Sequence, residues 1–165
     1  MSPSPRLTLR ASSLDATHAV AAALAALSRS GDVILLAGEM GAGKTAFAQG
    51  FGRALGVTEP ITSPTFNLVH TYPLGGRTFH HADIYRLGTQ HELDDLALGE
   101  LADDRGIVLV EWGDVVAGAL GDHLQVRLDV PDDDPLLEQR HITITACGPA
   151  WATRWAALAA AVTTC

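Results

Sequence analysis

Asp32-Val33-Ile34-Leu35-Leu36-Ala37-Gly38-Glu39-Met40-Gly41-Ala42-Gly43-Lys44-Thr45 is the stretch that decides the fold. Its apolar first half reads as a buried strand, and its second half completes the pattern Gly-x-x-x-x-Gly-Lys-Thr of a phosphate-binding loop. The glycines let the backbone wrap an anion with its N–H groups turned inward, and the segment from Thr45 to Leu55 has helical character and offers its positive end to the same point. Lys44 is the only lysine in the chain, and all other basic residues are arginine. A compact ammonium thus stands at the one position where a guanidinium fork would crowd a phosphate. Lys44 is placed to reach the β and γ phosphates of a nucleotide, and the Thr45 hydroxyl to reach the magnesium ion that bridges them. Gly38, Glu39, Met40, Gly41, Ala42 and Gly43 form the loop, with Ala46 following in the first turn of the helix.

Working outward, the 165 residues, 47% of them hydrophobic, suffice for a single domain of ordinary size spanning 1–165. A formal charge of −8 argues against a broad electrostatic footprint on nucleic acid, so any such role is expected to be indirect. Cys147 and Cys165 form no Cys-x-x-Cys pair, which gives no disulfide framework or zinc site. No apolar run approaches the roughly 20 residues of a membrane span, and Met1 to Arg6 lacks the apolar core of a signal peptide. A cytoplasmic location without membrane contact is the expectation.

The remaining elements follow from periodicity and breakers. A strand is expected around Leu7 to Arg10, with Ser12 or Ser13 capping a helix from Leu14 to about Arg29 that Gly31 ends. Phe66 to Tyr72 and Arg77 to Tyr85, joined by Pro73-Leu74-Gly75-Gly76, read as a hairpin. A polar helix from Gln90 to about Asp104 leads to the central strand Gly106 to Glu111. His123 to Val130 and His141 to Ala146 alternate like edge or meander strands, and Pro149 to Val162 reads as an outer helix. The fold class is therefore α/β, a three-layer phosphate-loop NTPase-like fold whose mixed sheet includes an antiparallel hairpin.

Two carboxylates stand at strand ends near such a loop. Glu111 follows four consecutive apolar residues, as a buried strand delivers an acid to the C-terminal edge of a sheet. Asp83 belongs to His80-His81-Ala82-Asp83, where period two puts His81 and Asp83 on one face and His80 on the other. A histidine in a strand is more often a hydrogen-bonded filler than a metal ligand, so no transition-metal site is expected.

Taken in order, Gly38 to Thr45, Ser63-Pro64-Thr65-Phe66, His81-Ala82-Asp83-Ile84-Tyr85-Arg86-Leu87 and Val110-Glu111-Trp112 resemble the TsaE family, also called YjeE, of bacterial tRNA-modification ATPases. The resemblance implies a magnesium-dependent ATP hydrolase required for threonylcarbamoyladenosine in tRNA. It would work with a TsaD–TsaB partner complex, resetting it between turnovers and touching tRNA only through it. Carried over by residue, Lys44, Asp83 and Glu111 would be catalytic, with Thr45, Asp83 and Glu111 at the metal. Thr65 would sense the γ-phosphate, Trp112 would lie close to the nucleotide, and Ser12 and Arg140 would approach it. Ala82 stands where the family usually carries phenylalanine, Asn67 where it carries threonine, and Gly113 where proline or a small polar residue is more usual.

Other classes fit less well. A GTPase needs an Asn-Lys-x-Asp motif, and no second lysine exists to form one. A small-molecule kinase shares the loop and the metal, but it normally carries arginines on a lid, whereas Arg53, Arg77, Arg86 and Arg105 are scattered with no obvious insertion. A nucleotide-dependent binding module overlaps with the family reading, since a partner can complete the site.

Overall fold

The computed structural model describes residues 4–62, 69–84, 98–103, 105–111, 121–133 and 138–165. Its core is a seven-stranded mixed sheet. In chain order the elements are β1 (Arg6–Ala11), α1 (Leu14–Leu27), β2 (Val33–Ala37), α2 (Lys44–Leu55), β3 (Val69–Pro73), β4 (Thr78–Asp83), α3 (Leu98–Asp103), β5 (Gly106–Glu111), β6 (His123–Asp129), β7 (Arg140–Cys147) and α4 (Trp155–Val162). A 3-10 turn, Pro149–Trp151, precedes α4.

The strand order is β1-β7-β6-β2-β5-β4-β3. The four central strands, β6, β2, β5 and β4, run parallel, while β7 and β1 on one side and β3 on the other add antiparallel pairs. Every residue of β2 and of β5 is buried. That is why both read as continuous apolar runs: a strand covered on both faces has no reason to alternate.

The two faces carry separate cores. Ile34, Leu36, Phe79, Ile107, Leu109 and the inward residues of β6 and β7 pack beneath α1, α2 and α4. Val33, Leu35, Ala82, Val108 and Val110 pack with Ala102 of α3 on the opposite side. The expected three-layer mixed architecture is present. Small residues let α1 and α2 approach closely: a Cβ on Gly50 of α2 would come within 3.0 Å of the His18 backbone and 3.3 Å of Ala21 Cβ. The alanine-rich face of α1 is therefore a helix-contact face.

Most expected elements are found with shifted ends. Ser13, not Ser12, caps α1, its hydroxyl accepting from Ala16 N–H at 3.1 Å. Ser28, not Gly31, closes the same helix, its backbone turning extended while its hydroxyl donates to Leu24 O at 2.8 Å. Gly31 serves the turn into β2 instead, donating its N–H to Gly106 O at 2.8 Å. The hairpin pairs Val69↔Ala82 through Pro73↔Thr78, around Gly75 and Gly76. Both glycines have positive φ, as a tight two-residue connection requires. β6 and β7 form a meander, but neither is an edge, because β1 pairs along the outer side of β7. Of the helix expected from Gln90 to Asp104, only Leu98–Asp103 falls within the described residues.

Candidate functional site

Parallel strands end together at their C-terminal edge, and three of them deliver the site. The register sets Leu36 of β2 beside Glu111 of β5, and Glu111 beside Asp83 of β4. Since paired residues share a face, Glu111 and Asp83 join His81 and Leu109 on the side covered by α1 and α2. His80 points to the other side, with its Nδ1 3.0 Å from Thr71 Oγ1.

From Ala37 the chain enters the glycine loop. Gly38 has a φ of 146° and passes so close to β6 that a Cβ would lie 2.5 Å from Leu128 O. That neighbour is backbone and cannot give way, so any side chain here would push the loop off the sheet. Gly43, at φ 103°, forms the N-cap of α2 without any side-chain hydrogen bond to the helix. The helix thus begins without a capping side chain to satisfy its first amides, which leaves its positive end facing the loop. Lys44 is buried, with Nζ donating to Gly38 O at 2.5 Å and Glu39 O at 3.1 Å. The ammonium therefore lies across the mouth of its own loop.

One residue further, Thr45 Oγ1 donates to Glu111 Oε1 at 3.3 Å. The other oxygen of Glu111 is 2.5 Å from His81 Nε2. Asp83, Glu111 and Lys44 are all buried polar side chains, so the fold withdraws both signs of charge from solvent at this edge. Arg140, the first residue of β7, approaches the loop from the opposite side and donates from Nε to Ala42 O at 2.7 Å. It also lines a cleft of about 240 Å³ with Leu14, Thr17, Gly43, Ala46 and Glu138. The exposed lining is mainly apolar, which suits a flat heterocycle more than a phosphate.

Lys44, Thr45, Asp83, Glu111, Ala46 and Arg140, together with Gly38, Glu39, Met40, Gly41, Ala42 and Gly43, thus converge on one end of the sheet. Glu39 and Met40 are exposed at the tip of the loop. Ser12 lies exposed in the β1–α1 connection, next to Ala11, whose strand partner is Arg140. Thr65 and Trp112 lie outside the described residues, as do Ser63, Pro64, Asn67 and Gly113. Leu14, Thr17 and Glu138 were not singled out by sequence reasoning. The available signal was Thr17, a polar residue on the buried stripe of α1 whose hydroxyl is buried without a hydrogen-bond partner among the described residues.

The donors near Thr45 are hard oxygens from a hydroxyl and two carboxylates. Among the described residues no group of three or more His, Cys, Asp or Glu side chains is arranged to hold a metal. The hydroxyl and carboxylate oxygens fit magnesium, which takes one or two protein oxygens and completes its shell with phosphate and water.

Comparison with known proteins bears on the family and the fold. The sequence model of the family described as "Threonylcarbamoyl adenosine biosynthesis protein TsaE" matches residues 11–142. The tRNA threonylcarbamoyladenosine biosynthesis protein TsaE of Streptomyces coelicolor is 43% identical over 134 residues, covering 79% of this chain and 90% of that protein. The protein of the same name from Bacillus subtilis is 39% identical over 133 residues, covering 80% of each. A crystal structure of Bacillus subtilis YdiB superposes with a TM-score of 0.77 at 30% identity, covering 99% of this chain and 98% of that one. A family match across most of the chain, with the whole fold shared, establishes that this chain belongs to the TsaE family of threonylcarbamoyladenosine biosynthesis proteins.

Proposed function

We propose that this chain is a magnesium-dependent ATP hydrolase serving threonylcarbamoyladenosine modification of tRNA, a single-domain cytoplasmic protein that resets a TsaD–TsaB complex between turnovers. The observation that carries the reading is the meeting of Lys44, the open N-terminus of α2 and the Thr45–Glu111 pair at one strand edge. In this reading the triphosphate displaces the Lys44 ammonium from the carbonyls of Gly38 and Glu39, and the loop N–H groups take up the phosphate oxygens. Bound magnesium would neutralise charge on the β and γ phosphates, held by Thr45 and Glu111, with Asp83 beside the γ-phosphate. Arg140 and the cleft from Leu14 to Ala46 receive the nucleoside end, with Ser12 at its entrance. Thr65 and Trp112 complete the site on the resemblance to the family. Phosphoryl transfer to water depends on positioning and charge, so a site of this kind is readily completed by a partner.

The test is phosphate release from ATP by the purified chain, alone and with the TsaD–TsaB pair, beside Lys44→Ala. The expected result is hydrolysis that rises with the partners and disappears in the variant. Hydrolysis unaffected by Lys44→Ala, or ADP formed only with a small-molecule acceptor, would replace this reading with another.

A further inference from the structure

His81 is fully buried on β4, on the face it shares with Asp83 and Glu111. Its Nε2 lies 2.5 Å from Glu111 Oε2, while its Nδ1 is buried with no hydrogen-bond partner among the described residues. A carboxylate is acceptor-only, so the nitrogen facing it must carry the hydrogen. Nε2 is therefore the donor of this hydrogen bond. The fully buried imidazole lies parallel to the Phe79 ring, with centroids 6.4 Å apart and planes 6° apart, both rings being carried by the same strand.

Glu111 is held from two sides as a result. Oε2 is fixed by a donor that belongs to the sheet, and Oε1 is turned toward Thr45 on α2, 3.3 Å away. A glutamate side chain has three rotatable bonds, and without the imidazole a buried oxygen would lose its donor and the carboxylate its fixed orientation. We infer that His81 is a positioning residue for magnesium-linked nucleotide binding: it holds Glu111 so that Oε1, and not Oε2, addresses Thr45 and the metal. The sheet thereby orients the carboxylate before any ligand arrives, in the way a residue behind a metal ligand sets that ligand's geometry. The inference rests on the magnesium–nucleotide reading of the same site.

The experiment titrates a fluorescent ADP analogue into the full chain, with magnesium and with EDTA, for the wild type, His81→Leu and His81→Gln. Leucine fills much of the space without a donor, whereas the glutamine amide nitrogen reaches close to the place of Nε2. Wild-type affinity is expected to rise with magnesium. In His81→Leu that gain should shrink by roughly tenfold, with affinity in EDTA unchanged, and His81→Gln should recover most of it. A gain in His81→Leu equal to the wild type would overturn the inference. So would an equal loss in magnesium and EDTA, which marks a merely structural role. If the wild type itself shows no gain with magnesium, the underlying reading falls, and the inference falls with it. Should His81→Leu not fold, nitrogen-15 spectra of wild-type His81 decide: hydrogen on Nε2 supports the inference, and a ring with hydrogen on Nδ1 alone overturns it.

Discussion

At the scale of single residues, charge is placed sparingly. Lys44 is the one ammonium on a side chain, and it donates to two backbone carbonyls of its own loop. Glu111 is the matching carboxylate, delivered by a strand whose every residue is buried. If Glu111 orients the attacking water or the metal, removing its charge while keeping its shape should separate binding from chemistry. Glu111→Gln is expected to keep the parent's nucleotide affinity in EDTA, to lose roughly tenfold or more of the gain that magnesium brings, and to fall roughly 100-fold in turnover. Nucleotide titration and single-turnover hydrolysis together check this, and a variant hydrolysing at the parent rate would remove Glu111 from catalysis. These two residues are legible from sequence because each sits in a short contiguous pattern. His81 was legible only as to its face: period two placed it beside Asp83, but its bond to Glu111 requires the register of β4 on β5.

At the scale of elements, a buried ion pair ties the segment before the last helix to the turn that leads into β2. Arg154, just before α4, makes two hydrogen bonds to Asp32, from Nη1 to Oδ2 at 2.7 Å and from Nη2 to Oδ1 at 3.0 Å. It also reaches Leu27 O at 2.8 Å and Ala150 O at 3.0 Å, with its guanidinium 3.8 Å above the Trp151 ring. Asp32 in turn accepts from the Arg29 N–H at 2.6 Å, which shapes the turn between α1 and β2. Arg154→Ala strands a buried carboxylate, and we expect it to lower unfolding stability by about 3–5 kcal/mol in urea titration. A loss below about 1 kcal/mol would show that Asp32 is not dependent on this partner. Nothing in the local sequence announces the pair, because an acid before a strand and an arginine before a helix are each commonplace; 122 residues separate them. The same limit explains the end of α1, where a hydrogen bond from Ser28 to Leu24 O stops the helix before the more conspicuous Gly31.

At the scale of the molecule, the sheet brings the sites together. The presence of most strands, the glycine loop and its helix was legible because apolar runs and turn residues are local signals. The position of β6 and β7 inside the sheet was not, since alternation reports one covered face but not which strand lies alongside. Arg140 reaches the loop only because β7 is paired between β1 and β6, and the cleft it lines is assembled from α1, α2 and the start of β7. The burial of Asp83, Glu111 and Lys44 at one edge is what supports the proposed reading of this end of the sheet as a site for a triphosphate and its metal. Calorimetric titration of the chain with magnesium ATP, beside Lys44→Ala, tests that claim most directly. The account predicts one binding site per chain in the wild type and none measurable in a Lys44→Ala protein that melts at the parent temperature. Equal binding by both proteins, or no binding by the folded wild type, would contradict it.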